Sequence, residues 1–121
     1  MSGFRETFEA YGGDYPNTMA RFLENEAFYL RLLNMLFQDE NMEKLGSSLQ
    51  AGDLTGAFEA AHTLKGVVGN LGLEPLYAAV CAVVEPLRNR EERSDYAAMY
   101  DVIRLEFRNA ENLRQHLMGG N

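Results

Sequence analysis

Apolar residues in this chain recur three and four positions apart along most of its 121 residues, and strand-like alternation persists nowhere beyond a few positions. A three-and-four spacing buries one face of a helix, whereas a half-buried strand needs a period of two, so the chain reads as all-α. Proline occurs only at 16, 75 and 86. Pro75 falls where a helix tolerates proline, in its first turn, and Pro86 is placed to bend or end the same helix.

Phe4, Phe8 and Tyr11 make a short amphipathic helix that stops at Gly12-Gly13, and Met19, Phe22 and Leu23 make a second between Asn17 and Asn25. Four longer pieces follow, at 24–50, 53–70, 75–89 and 95–117. Their apolar stripes are Phe28, Leu32, Met35, Leu36, Met42, Leu45 and Leu49; then Leu54, Ala57, Ala61, Leu64 and Val68; then Leu76, Val80, Val83 and Leu87; then Met99, Ile103, Phe107, Ala110, Leu113 and Leu117. Asp53 is a fitting N-cap for the second piece, and Ser94 or Asp95 for the last. Asn89-Arg90-Glu91-Glu92-Arg93 reads as a polar connector. Short connectors favour antiparallel neighbours, so the expected architecture is an antiparallel up-down four-helix bundle with a short N-terminal helical extension, forming one domain over residues 1–121.

Charge and cysteine usage narrow the function. Lys plus Arg number 11 against 18 Asp plus Glu, a formal charge of −7, which leaves no clustered positive field for a nucleic-acid backbone. Cys81 is the single cysteine, so there is neither an intramolecular disulfide nor a zinc-type Cys/His spacing, and no metal site is expected. The first residues lack the basic start and apolar run of a signal peptide, and no stretch approaches the roughly 18 apolar residues of a membrane span. These features point to a cytoplasmic protein without a membrane role, and the Met1 start and Gly-Gly-Asn end read as a stand-alone chain.

One stretch carries more than fold information: Ala61-His62-Thr63-Leu64-Lys65-Gly66-Val67-Val68-Gly69-Asn70-Leu71-Gly72. Glycine inside a helix costs about 1 kcal/mol against alanine, so Gly66 and Gly69 call for a reason other than helix propensity. At about 100° per residue, with His62 at zero, Gly66 lies near +40°, Gly69 near −20° and Lys65 near −60°, while Ala57, Leu64 and Val68 gather at about +200° to +240°. His62 therefore points outward beside two missing side chains and one cation. A free imidazole titrates near pH 6.5 and is largely neutral above it, so a ring nitrogen offers a lone pair for attack on phosphorus. Lys65, one turn on, would offset the incoming negative charge, and the two glycines would let a partner's cleft close over the ring.

His62-Thr63-Leu64-Lys65-Gly66 followed by Gly69-Asn70-Leu71-Gly72 resembles the signature of histidine-containing phosphotransfer (HPt) domains of two-component multistep phosphorelays. The resemblance implies a phosphohistidine at His62, a phosphoryl-steadying Lys65, and access through Gly66 and Gly69. It further implies receiver domains of response regulators and a hybrid sensor histidine kinase as partners, with Mg²⁺ on the receiver. The chain itself would then be a phosphotransfer intermediate rather than an enzyme, with no cofactor and no ATP site, and a monomer. The expected docking face comprises Glu59, Thr63, Gly66, Gly69 and Asn70, joined by apolar residues of 17–25.

The sequence departs from the family at one point. Many members place Gln or Glu on the next helix within reach of the histidine ring, where this chain has Val80-Cys81-Ala82-Val83-Val84, leaving Glu59 or Glu85 to orient the ring. Val67 stands where a small polar residue is common. Elsewhere the plain readings suffice: His116 is a solvent-facing residue near a helix C-terminus, Cys81 a small buried residue, and the methionines and aromatics core material. The alternative to phosphotransfer is a non-catalytic helical module that binds a receiver or kinase. A third reading is the phosphorylated N-terminal module of a chemotaxis-type kinase, with its ATP domain downstream.

Overall fold

Short polar side chains that take up free amide groups set several helix starts in the computed structural model, which describes residues 3–119. After α1 (Phe4–Tyr11), the Asp14 carboxylate accepts from Asn17 N at 3.2 Å and opens α2 (Tyr15–Arg21). Asn25 accepts from Phe28 N at 3.0 Å and opens α3 (Glu26–Leu36). After α4 (Asn41–Ala51), Asp53 accepts from Gly56 N at 2.9 Å and opens α5 (Leu54–Asn70). Such caps satisfy amides that have no partner within the helix. Pro75 lies in the first turn of α6 (Glu74–Arg88), and Pro86 stands two residues before its end. α7 (Tyr96–Gly119) is the longest. The described residues contain no strand.

Two expectations about the N-terminal half are corrected. The piece at 24–50 is two helices, α3 and α4, separated at 37–40. Asp39 is the cause: its carboxylate takes both the backbone N–H and the side-chain amide of Asn41 at 2.7 Å, a local bond that competes with helix continuation and starts α4 anew. Phe37 turns instead onto Phe107, with ring centroids 4.9 Å apart. The second correction concerns the short helix expected at 17–25, which spans Tyr15–Arg21 and leaves Leu23 in the connector, 84% exposed and in left-handed backbone.

The buried face of α3 is also rotated by one position from the expected one. Tyr29, Leu33 and Leu36 are enclosed, while Met35 is 59% exposed and Phe28 and Leu32 are half-buried. The other stripes pack inward: Ala57, Ala60, Ala61, Leu64 and Val68 of α5, Leu76, Val80, Val83 and Leu87 of α6, and Ile103, Ala110 and Leu113 of α7 form one core with Leu45 of α4. Successive helices pack as neighbours, α4 on α5, α5 on α6 and α6 on α7, and α7 also meets α1, α3 and α4. The result is a helical bundle of seven helices among the described residues.

Candidate functional site

α5 carries the stretch that the sequence singles out. Alanines at 57, 60 and 61 are fully buried, so the helix sits close between α4 and α6 and its opposite side faces solvent. Its C-terminus is unusually well held. Gly72, at φ 69°, lets Gly72 N reach Gly69 O at 3.1 Å and Leu73 N reach Val68 O at 3.1 Å, a Schellman ending. Three terminal carbonyls then receive side-chain donors from distant helices: Arg21 donates to Gly69 O at 3.2 Å and to Asn70 O at 3.1 Å, and the Tyr29 hydroxyl to Leu71 O at 2.6 Å. The segment is thus pinned from α2 and α3 at its end and by Asp53 at its start.

His62 is exposed midway along α5 and borders a shallow hollow of about 470 Å³ together with Arg21, Lys65, Gly66, Gly69 and Tyr77. The two glycines have different roles. A Cβ at Gly66 meets nothing within 4 Å, so that position is open to solvent. A Cβ at Gly69 would lie 2.9 Å from the Tyr77 ring on α6, so the missing side chain there also serves helix packing.

Thr63, Gly66 and Asn70 also edge a second groove, of about 430 Å³, whose apolar wall is Leu32, Met35 and Leu36 of α3 with Val67 of α5. The apolar neighbour of this face is therefore α3; the segment expected to supply it, 17–25, contributes Arg21 to the hollow instead. Thr63 Oγ1 donates to Glu59 O at 3.0 Å. The two carboxylates expected to orient the His62 ring are engaged elsewhere: Glu59 faces Lys44 at 3.9 Å and Glu85 pairs with Arg88 at 3.4 Å. Among the described residues, none forms a hydrogen bond with the His62 ring.

What the ring does have is a stacking partner. Phe58, one turn earlier, lies with its centroid 5.4 Å from that of His62 and its plane inclined by 21°. The guanidinium carbons of Arg90 and Arg88 lie 4.7 Å and 5.6 Å from the Phe58 centroid, within cation–π range. Arg90 is fixed in place by donating to Thr55 Oγ1 at 3.2 Å, Leu87 O at 2.9 Å and Arg88 O at 3.1 Å. With Arg90 N on Leu87 O and Glu91 N on Pro86 O, α6 has the same type of ending as α5. Here, however, the left-handed position (φ 53°) is held by arginine, not glycine, at a backbone cost on the order of 1 kcal/mol. In a chain of net charge −7, Arg21, Lys65, Arg88 and Arg90 collect around the one exposed histidine of α5.

On α6, Tyr77 faces the hollow, and the neighbouring Cys81 thiol one turn on pushes the ionisation of its phenol upward. Cys81 is half-buried rather than enclosed. His116 is exposed in the last turns of α7, with Nδ1 2.7 Å from Asn112 O. The described residues hold no cluster of three or more His, Cys, Asp or Glu suited to a metal ion, and no helix among them is long and apolar enough to cross a membrane.

A family model for the Hpt domain matches residues 31–116, well over half of the chain. The chain belongs to the Hpt domain family. Hpt domains are helical bundles that act as histidine phosphotransfer intermediates in two-component phosphorelays, interacting with response regulator receiver domains. The match takes in most of α3 and all of α4, α5 and α6, and so the whole His62 stretch, and leaves α1 and α2 outside. No match is found among curated proteins or among solved structures.

Five residues of this Hpt face escape the sequence reading: Phe58, Arg88, Arg90, Arg21 and Tyr77. The i, i+4 spacing of Phe58 and His62 is a visible signal for the first. Arg90 sits in what reads as a solvated polar run, and Arg21 is 49 residues from the carbonyl of Asn70 that it serves, so neither has a local signature.

Proposed function

We propose that this Hpt domain relays a phosphoryl group between aspartates of receiver domains through a phosphohistidine at His62. The observation that carries the reading is His62 itself: an exposed imidazole on a rigidly held helix, beside the open position of Gly66 and the cation Lys65. In the accepting step a ring nitrogen lone pair attacks the phosphorus of an aspartyl phosphate. The P–N bond forms as the acyl-phosphate P–O bond breaks, and the electron pair leaves with the aspartate carboxylate. In the donating step an aspartate oxygen attacks, the P–N bond breaks and the pair returns to the ring. The receiver supplies Mg²⁺ for the phosphoryl oxygens, and Lys65 offsets charge from this side. Positioning does the remainder, so no ATP site or cofactor of its own is required.

Partner docking uses the hollow at His62 and the apolar groove beside it, with Glu59, Thr63, Gly66, Gly69 and Asn70 on the ridge between them. Its natural occupants are receiver domains of a hybrid sensor histidine kinase and of a response regulator. In this reading α4 to α7 form the antiparallel up-down core of a single domain over 1–121, working as a cytoplasmic monomer. The test is incubation of wild type and His62→Gln with a phosphorylated receiver domain, followed by acid and base treatment of any label. Label on wild type alone, lost in acid and kept in base, is the expected result. Binding of receivers without label would instead make the chain a non-catalytic interaction module.

A further inference from the structure

We infer that Phe58 and Arg90 form a platform that positions the His62 ring for phosphoryl transfer, in place of a hydrogen-bonding side chain. The inference rests on the phosphotransfer reading of His62. Three observations converge on it. The His62 ring has no hydrogen-bond partner among the described residues, and the two carboxylates expected to orient it, Glu59 and Glu85, face Lys44 and Arg88. Its one close aromatic contact among the described residues is the inclined stack on Phe58, 5.4 Å between centroids. Phe58 in turn lies 4.7 Å from the guanidinium of Arg90, which three acceptors immobilise.

The backbone at Arg90 makes the arrangement informative. Its left-handed φ of 53° closes the end of α6, a position where glycine fits without strain. What arginine adds to that turn over glycine is its side chain, which donates to Leu87 O, Arg88 O and Thr55 Oγ1 and by those bonds is held over Phe58. An imidazole free to rotate about its side-chain bonds spends little time aligned with an incoming phosphorus, and a stacked ring is restricted to fewer orientations. Phe58 and Arg90 touch neither phosphoryl group nor receiver aspartate, so both are positioning residues. Arg88, 5.6 Å from the same ring, is tied to Glu85.

The experiment compares wild type, Phe58→Leu, Phe58→Tyr and Arg90→Gly for transfer from a phosphorylated receiver domain, with His62→Gln as the blank. The His62 ring protons are followed by NMR in the unphosphorylated proteins. Phe58→Leu should lower the maximal transfer rate about tenfold with little change in the receiver concentration giving half-maximal rate, and should shift the His62 ring protons as the Phe58 ring current is lost. Phe58→Tyr should restore both. Arg90→Gly should transfer several-fold more slowly while unfolding close to the wild-type temperature, relief of the left-handed strain offsetting the lost side-chain hydrogen bonds, which separates positioning from folding even if Phe58→Leu is poorly folded. Labelled wild type with Phe58→Leu and Arg90→Gly transferring at its rate, or His62 ring protons that do not respond to Phe58→Leu, would overturn the platform alone. No label on wild type from any receiver would overturn the phosphotransfer reading, and the platform's role with it.

Discussion

Gly69 of α5 passes so close to Tyr77 of α6 that a Cβ on the glycine would lie 2.9 Å from the tyrosine ring. Three residues earlier, Gly66 meets nothing, and this difference predicts opposite responses to one substitution. Gly66→Ala gains helix propensity in open space and should stabilise the fold by roughly 0.5–1 kcal/mol. Gly69→Ala has the same propensity gain but must displace Tyr77, and should be less stable than Gly66→Ala by about 1–2 kcal/mol. With Tyr77→Ala in both proteins, the gap between the two glycine substitutions should largely close. Urea unfolding of Gly66→Ala and Gly69→Ala, each alone and with Tyr77→Ala, checks the ordering.

Access at Gly66 is a separate matter from stability. Gly66→Gln places a long side chain beside His62 where the wild type has none, so transfer should fall by an order of magnitude or more while the helix signal and unfolding midpoint stay near wild type. A folded Gly66→Gln that transfers at full speed would show that partners do not approach from this side. Circular dichroism and a receiver transfer assay are sufficient.

Lys65 borders the same hollow, one turn from His62. Neutralising it leaves an acidic protein facing an incoming dianionic group with one cation fewer, so Lys65→Ala should slow transfer or shorten the phosphohistidine lifetime by on the order of tenfold, with stability unchanged. Lys65→Arg should retain part of the effect. A lifetime and rate in Lys65→Ala equal to those of wild type would remove the role assigned to Lys65.

The parts of this molecule that could be read from sequence are those whose cause is local. Asp53 caps α5 because an acidic side chain three residues before a free amide always has that option, and the stripes of α5, α6 and α7 follow from period alone. The face of α3 could not be read so, because Phe28, Tyr29, Leu30, Leu32 and Leu33 are apolar on every side and only contact with the rest of the core selects Tyr29 and Leu33. The break at Asp39 came from a side-chain bond that competes with an otherwise continuous pattern. At the site, His62, Lys65 and Gly66 lie within five residues and were visible together. The contributions of Arg21 and Arg90 depend on where α2 and the end of α6 come to rest, which no spacing encodes.

Arg21 offers a test of that long-range dependence. Its guanidinium binds Asn70 O and Gly69 O at the negative end of α5, the latter already accepting from Gly72 N. Arg21→Ala should cost about 1 kcal/mol, a modest figure because the bonds are exposed, and should speed amide exchange in the last turn of α5 more than in its first. Lysine presents a point charge rather than a two-donor fork, so Arg21→Lys should recover only part of the loss. Hydrogen exchange resolved by residue checks the gradient.

The Tyr29 hydroxyl predicts an alkaline limit to the fold. It is enclosed in the core and donates to Leu71 O at 2.6 Å, and burial pushes its ionisation well above the usual phenol value near 10. Tyr11 is shifted in the same direction, by burial and by the nearby Glu106 carboxylate. Both groups favour their protonated forms more strongly in the folded chain than in the unfolded one. Their stabilising contribution is therefore complete below about pH 10 and declines as pH rises beyond it, because the unfolded chain ionises first. Tyr29→Phe should cost about 1–3 kcal/mol at neutral pH by leaving Leu71 O unpaired in the core. The same variant should lose less stability than wild type between about pH 9 and pH 11, since one of the strongly shifted, buried phenols is gone. Urea unfolding at those pH values reads both effects, and parallel losses in the two proteins would show that the alkaline limit arises elsewhere.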